Sequence, residues 1–192
     1  EVMENLAKIN AMVFDKTGTL TKGKPEVTAI KGFGIEENEL LLMAAEAEII
    51  SEHHLGRAIV REAEKIGLKL LNKPSDVTVL KGRGIEVNLN GKSLYIGNRK
   101  GLLQNEIPIE LEVESYATIQ EKKGNTAVFI ADEKKILGVI SIADTIRETA
   151  VETMQQLKST GIEQLVMLTG DNKHTANIIG GQLGMDRIFA EL

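Results

Sequence analysis

Four apolar residues, Ala11-Met12-Val13-Phe14, run into Asp15 and then into Lys16-Thr17-Gly18-Thr19-Leu20-Thr21. An apolar run without clean alternation suits a strand buried on both faces. In open α/β sheets, ligands sit at the carboxyl ends of the strands. Asp15 therefore stands where such a sheet presents chemistry. Gly18 lets the backbone turn its N–H groups toward an anion, and the neighbouring Thr hydroxyls add donors. The expectation is that Asp15 is a nucleophile toward a phosphoryl group.

The C-terminal end of the chain has the same style. Ile136 to Ile142 reads as a strand, and Asp144 to Ser159 as a helix with Ile146, Ala150, Met154 and Leu157 on one face. Leu165 to Leu168 is a buried strand, Asn172 to Leu183 a helix ended by Gly184, and Arg187 opens another strand. Strands alternating with helices predict a parallel sheet with crossover connections. The middle differs. Glu36 to Ile50 and Leu55 to Ile66 form a helical hairpin bent at Ser51 to His54, with Gly67 as a C-terminal cap. Val77 to Ile96 is a β region in which Asn90-Gly91 marks a tight hairpin. A short helix through Leu103, a helix over Ile109 to Lys123 and a strand over Thr126 to Ala131 follow. Glu1 to Asn10 reads as a short helix or lead-in. The economical architecture is an α/β domain, 1–26 plus 136–192, interrupted by an antiparallel α+β insert, 27–135. The connections near Lys24 and Lys135 then act as paired hinges.

Composition removes several classes of function. A net charge of −5 and 3% aromatic residues give neither the basic footprint nor the stacking platforms of a nucleic-acid binder. The absence of Cys excludes disulfides, thiol catalysis and zinc-thiolate sites in this chain. The longest apolar run, Leu40 to Ala45, is far short of the ~20 residues that a membrane-spanning helix needs.

Asp15 and Thr169-Gly170-Asp171 both follow buried strands, and if those strands are neighbours their loops line one crevice. The helix starting near Asn172 would aim its N-terminal dipole there. A carboxylate nucleophile splits phosphoryl transfer into two steps through an acyl phosphate, with magnesium neutralising phosphate charge. Taken singly, an Asp after a strand is ordinarily a turn residue, and Asp171 a helix N-cap. As a seven-residue string, Asp15 to Thr21 is far more specific than a short motif with wild positions.

That string resembles the phosphorylation motif of P-type ATPases, and Thr169-Gly170-Asp171 resembles a second motif of that family. The resemblance implies a haloacid-dehalogenase-like phosphorylation domain interrupted by a nucleotide-binding domain. It implies Asp15 as the aspartyl-phosphate site, with its carboxylate and the Thr17 carbonyl on Mg²⁺. Thr169 and Gly170 would face the phosphate, and Asp171 would order the pocket. Asp144-Thr145-Ile146-Arg147 resembles a further signature; its alternative reading is a helix cap followed by an exposed Arg.

Ser51-Glu52-His53, followed by Leu55, resembles the Ser-Glu-His-Pro-Leu motif of the heavy-metal-transporting (P1B) branch, and Gly82-Arg83-Gly84 resembles its Gly-x-Gly loop. By that resemblance ATP is the ligand: Glu52 accepts from the adenine amino group, His53 packs on the base, and Gly82 and Gly84 let the backbone approach. On spacing alone the two glycines suit a turn or bulge. Gly91-Lys92-Ser93 echoes a P-loop ending, but Glu86 occupies the first Gly position.

Two departures stand out. His54 replaces Pro, which presets φ at a helix start, so a looser bend and weaker nucleotide binding are expected. A Lys and a Gly-Asp-Gly-x-Asn-Asp segment, which supply a further Mg²⁺ ligand in the family, do not appear before Leu192. The expectation is a truncated or processed fragment that binds nucleotide and is impaired in phosphoryl transfer.

The leading reading is the catalytic portion of a heavy-metal exporter, copper favoured over zinc on overall resemblance. Its partners would be the transmembrane and actuator domains of the parent, at the cytoplasmic face of a membrane. One competitor is a soluble phosphatase of the same fold with a large cap domain. Those enzymes carry an acid/base Asp two positions after the nucleophile, where Thr17 stands and cannot do that work near neutral pH. The other competitor is a non-catalytic module that kept the fold.

Overall fold

The computed structural model describes residues 9–192; apart from Ile9 and Asn10, the expected lead-in lies outside the described residues. The chain divides into two compact units: 1–24 with 122–124 and 144–192, and 25–121 with 125–143.

The first unit is built on a three-stranded parallel sheet in the order β1-β8-β9, where β1 is Ala11–Asp15, β8 Gln164–Leu168 and β9 Arg187–Phe189. Helix α5 (Ala150–Ser159) precedes β8, and α6 (Lys173–Gln182) crosses from β8 to β9. Leu165 and Met167 of β8, Ala150 and Met154 of α5, and Ala176 and Ile179 of α6 form its core, with Met12 and Phe14 of β1 packed against it. The expectation that β1 is buried on both faces is corrected here. Met12 and Phe14 are half-buried, whereas Val13 is 61% exposed. Among the described residues β1 pairs on one side only, with β8, so it behaves as an edge strand.

The second unit holds a six-stranded antiparallel sheet in the order β2-β7-β6-β5-β4-β3. Its strands are β2 (Thr21–Gly32), β3 (Ser75–Leu80), β4 (Gly84–Leu89), β5 (Lys92–Gly97), β6 (Thr126–Ala131) and β7 (Ile136–Ile146); β2 and β7 each run across a boundary of the unit. Both faces of the sheet are covered. Val128 and Ile130 of β6 join a cluster with Leu40, Leu41 and Ala44 of α1 (Glu37–Glu48) and Ala58, Ile59 and Ala63 of α2 (His54–Lys65). The alternate residues Ala127, Phe129 and Ala131 join Leu102 of α3 (Arg99–Gln104) with Val113 and Ala117 of α4 (Leu111–Glu121). Residues of period two thus supply two cores from one strand. Gly138 of β7 lets α1 lie close, because a Cβ there would strike the Leu40 side chain. The expected hairpin forms: Asn90 and Gly91 have φ of 54° and 79°, the pair of positive values that a two-residue turn of this kind requires.

Two expectations change at β7. The strand does not end at Ile142 but continues through Asp144 to Ile146, and α5 begins only at Ala150. Asp144 is therefore no helix cap. Ile136 to Ile142 pair along β6, and the compact unit that holds the antiparallel sheet extends to Ala143.

Candidate functional site

In the first unit, parallel pairing sets Asp15 directly across from Leu168, so the loops after β1 and β8 leave the same end of the sheet. The carboxylate of Asp15 is exposed, as are Thr17, Gly18 and Thr19. Behind it, Lys16 is buried and its Nζ lies 2.7 Å from an Asp171 carboxylate oxygen. This ion pair ties the two loops together and gives Asp171 a role other than capping. The cap of α6 is Asn172, whose Oδ1 accepts from Thr175 N at 3.0 Å. Thr169 is buried, and its Oγ1 accepts from Asp171 N at 3.1 Å. That leaves the hydroxyl proton for another acceptor.

The Asp15 loop is fastened by its own hydroxyl and by the end of β7. Gly18, at φ 80°, donates its N–H to Thr21 Oγ1 at 3.1 Å. The buried Thr21 hydroxyl donates to Asp144 at 2.5 Å, and the other carboxylate oxygen of Asp144 accepts from Lys24 N at 3.2 Å. Arg147 sends Nε to the Thr19 carbonyl at 3.0 Å and an Nη to the Gly18 carbonyl at 2.9 Å, while its own amide donates to Leu20 O.

Among the described residues there is no cluster of three or more His, Asp or Glu side chains that could cage a metal. One exposed carboxylate on an open loop still fits Mg²⁺. That ion keeps several waters and binds through one or two carboxylates plus phosphate oxygens rather than in an all-protein cage.

In the second unit, Ser51–His53 forms the bend between α1 and α2. His53 caps α2, its Nδ1 accepting from Leu55 N at 3.3 Å, and its ring stacks on His54 with centroids 4.4 Å apart. Burial pushes its pKa downward, favouring the neutral ring. Ser51 Oγ accepts from His53 N at 3.2 Å. A concavity of about 410 Å³ is bordered by Glu48, Ser51, Glu52, Arg57 and Arg61, with Ile49, Ile50 and Val60. Glu52 lines it; His53, Gly82 and Gly84 do not. The two glycines sit in the β3–β4 turn, closed by Arg83 N to Leu80 O at 2.8 Å, with φ of 70° at Gly82 and 144° at Gly84. A Cβ on Gly84 would strike the Ile96 carbonyl. The turn is pinned by Asn98, which donates its side-chain amide to Gly82 O at 2.9 Å, and by the Tyr95 hydroxyl, which donates to Arg83 O at 2.8 Å.

One residue was missed by sequence reasoning. Glu48 is buried at the end of α1, lines the concavity, and has a carboxylate oxygen without a hydrogen-bond partner. Burial pushes its pKa up, opposed by a hydrogen bond with Ser51. The available cue was its place on the buried stripe of α1, four residues after Ala44 and seven after Leu41.

The haloacid dehalogenase-like hydrolase family matches residues 9–192. The chain is 42% identical to a probable cadmium-transporting ATPase of Alkalihalophilus pseudofirmus, over 99% of the chain and 27% of that protein. It is 39% identical to a copper-exporting P-type ATPase of Staphylococcus saprophyticus, over 100% of the chain and 23% of that protein. A zinc-transporting PIB-type ATPase solved in its E2.Pi state superposes with a TM-score of 0.70 at 37% identity, over 99% of the chain and 30% of that structure. The chain thus spans about a quarter of the length of the curated relatives it matches. With a parallel sheet that carries Asp15 and a separate antiparallel sheet, the chain belongs to the haloacid dehalogenase-like hydrolases and corresponds to the catalytic region of heavy-metal P1B-type ATPases.

Proposed function

We propose that this chain is the ATP-binding and phosphorylation part of a heavy-metal-exporting P-type ATPase. Residues 1–26 and 136–192 form its phosphorylation domain, and 27–135 its nucleotide-binding domain, with the first stretch of β7 built into the nucleotide-binding sheet. The observation that carries this reading is the adjacency of β1 and β8, which sets Asp15 beside the Thr169-Gly170-Asp171 loop.

An Asp15 carboxylate oxygen attacks the γ-phosphorus of ATP. A carboxyl–phosphorus bond forms, the bond to the bridging oxygen breaks, and ADP leaves with the electron pair. Water later cleaves the acyl phosphate and restores the carboxylate. Thr17 offers no acid or base near neutral pH, so that intermediate persists long enough to be coupled to transport. The Thr169 hydroxyl and the Gly170 N–H donate to phosphate oxygens, and Asp171 orders the pocket through Lys16. Asp15 and the Thr17 carbonyl would hold Mg²⁺, which neutralises phosphate charge when bound.

Glu52, His53, Gly82 and Gly84 hold the adenine part of ATP. Glu48 joins them, because its unpartnered buried oxygen is an acceptor in want of a donor such as the adenine amino group. The remaining partners are the membrane and actuator domains of a longer parent at the cytoplasmic face of a membrane. Among the described residues no helix is long and apolar enough to cross a bilayer. Relatives named for cadmium and for copper match at 42% and 39%. Copper export is retained as the reading, and stimulation of the parent's ATPase by Cu⁺ rather than Cd²⁺ is its test.

Calorimetry on this chain tests the nucleotide assignment. ATP binds the wild type, and Glu52→Ala loses that binding. Unaltered affinity in the variant, or rapid turnover of small phosphate monoesters by the wild type, would favour the soluble phosphatase.

A further inference from the structure

Asp144-Thr145-Ile146-Arg147 enters neither the nucleophile's chemistry nor the nucleotide contacts, yet its charged side chains make most of the cross-chain attachments to the Asp15 loop. Arg147 lies just past the end of β7, where its amide donates to Leu20 O. This places the guanidinium over the carbonyls of Gly18 and Thr19, and the fork takes one with Nε and the other with an Nη. Two parallel donors on a rigid plane fix the orientation of two successive peptide groups. Because C=O and N–H point oppositely across a trans peptide, holding those carbonyls also sets the direction of the Thr19 and Leu20 amides.

The loop needs such an anchor. Thr17, Gly18 and Thr19 are exposed, so no apolar packing fixes them. Gly18 is at φ 80° and Gly23 at φ 69°, and the loop doubles back so that a Cβ on Gly23 would lie 3.1 Å from the Gly18 Cα. Within the loop, Gly18 N donates to Thr21 Oγ1 and the Thr21 amide donates to the Lys16 carbonyl, so both ties converge on Thr21 and neither holds the Gly18 and Thr19 carbonyls. The Thr21 hydroxyl is itself held by Asp144.

We propose that Arg147 is a positioning residue for phosphoryl transfer, whose guanidinium holds the Gly18 and Thr19 carbonyls and so fixes the loop that presents Asp15. The inference rests on Asp15 being the nucleophile. Arg147 is exposed, so its hydrogen bonds contribute little to stability. They act on geometry, where a displacement of about 1 Å can cost about 100-fold in rate.

The test uses the full-length protein that contains this chain, with phosphoenzyme formation from labelled ATP measured at saturating and limiting ATP. Arg147→Ala lowers the maximal rate at least about tenfold, leaves the ATP dependence within about twofold, and shifts Tm little. Arg147→Lys, with a point charge in place of the fork, recovers only part of the rate. Added guanidinium raises the rate of Arg147→Ala. A wild-type maximal rate in Arg147→Ala overturns the proposal, as does a loss confined to ATP affinity or full recovery by Lys. If the Ala variant does not fold, the Lys variant carries the test and must fall at least about threefold in maximal rate at unchanged ATP affinity. Asp15→Asn is run alongside: retained phosphoenzyme there overturns the nucleophile assignment and this inference with it. Lost phosphoenzyme in Asp15→Asn beside a normal Arg147→Ala overturns this inference alone.

Discussion

Glu48 carries a carboxyl in the buried stripe of a helix, where desolvation raises its pKa. Such a group leaves stability intact below its unfolded pKa, and stability falls as pH rises from there through the higher folded value. Replacing it with a neutral isostere removes that loss. Glu48→Gln therefore matches the wild type in Tm at pH values below the ordinary carboxylate range, and exceeds it by a margin that grows as pH rises above that range and then levels off. Circular dichroism melts across that range check this, and parallel curves would contradict it. The same substitution weakens ATP binding if the carboxylate accepts from adenine. Lys16 and Asp171 are the opposite case, a buried cation with its counter-charge 2.7 Å away. Asp171→Asn strands the ammonium and costs about 3 kcal/mol in urea unfolding. The Asp15 string was legible from residue types alone, but Lys16 within it was not, because which partner a buried Lys finds depends on the strand pairing. Asp171 illustrates the same limit: its spacing fits a helix cap, and Asn172, one residue on, took that place.

At the scale of elements, legibility followed the strength of the local pattern. The β6 run from Thr126 to Ala131 and the Asn90-Gly91 turn were readable because continuous burial and positive φ leave few alternatives. The stretch from Asp144 to Thr149 was not. An Asp before a helical pattern imitates a cap, yet here its carboxylate accepts from Thr21 and Lys24, more than 100 residues away in sequence. No local pattern encodes such bonds. β1 was misjudged for a related reason, since an apolar composition does not say how many partners a strand has. Two substitutions test the packing that resulted. Gly138→Ala drives a methyl into Leu40 and costs about 1–3 kcal/mol. His54 is the first residue of α2, and His53 before it is already extended at φ −70°, ψ 135°, as a residue preceding Pro requires. His54→Pro accordingly stabilises by about 0.4–1 kcal/mol and tightens ATP binding; unchanged or weaker affinity by calorimetry would count against the looser-bend expectation.

At the scale of the whole molecule, the change of style along the sequence corresponds to two units with separate cores. Met167, Ala176 and Ile179 belong to one, and the sandwich of α1 and α2, sheet, α3 and α4 to the other. Each unit holds its own part of the proposed chemistry. Residues 25–143 expressed alone should fold cooperatively and bind ATP within about threefold of the intact chain; an unfolded or non-binding product would show that the nucleotide site needs the other unit. The proposal that Asp15 takes the γ-phosphoryl group of ATP can be addressed in one experiment. The full-length protein is incubated with γ-labelled ATP, acid-quenched, and treated with hydroxylamine. An acid-stable, hydroxylamine-labile label is expected on the peptide that contains Asp15, and none in Asp15→Asn. A label that survives Asp15→Asn, or that maps to another residue, would contradict the proposal.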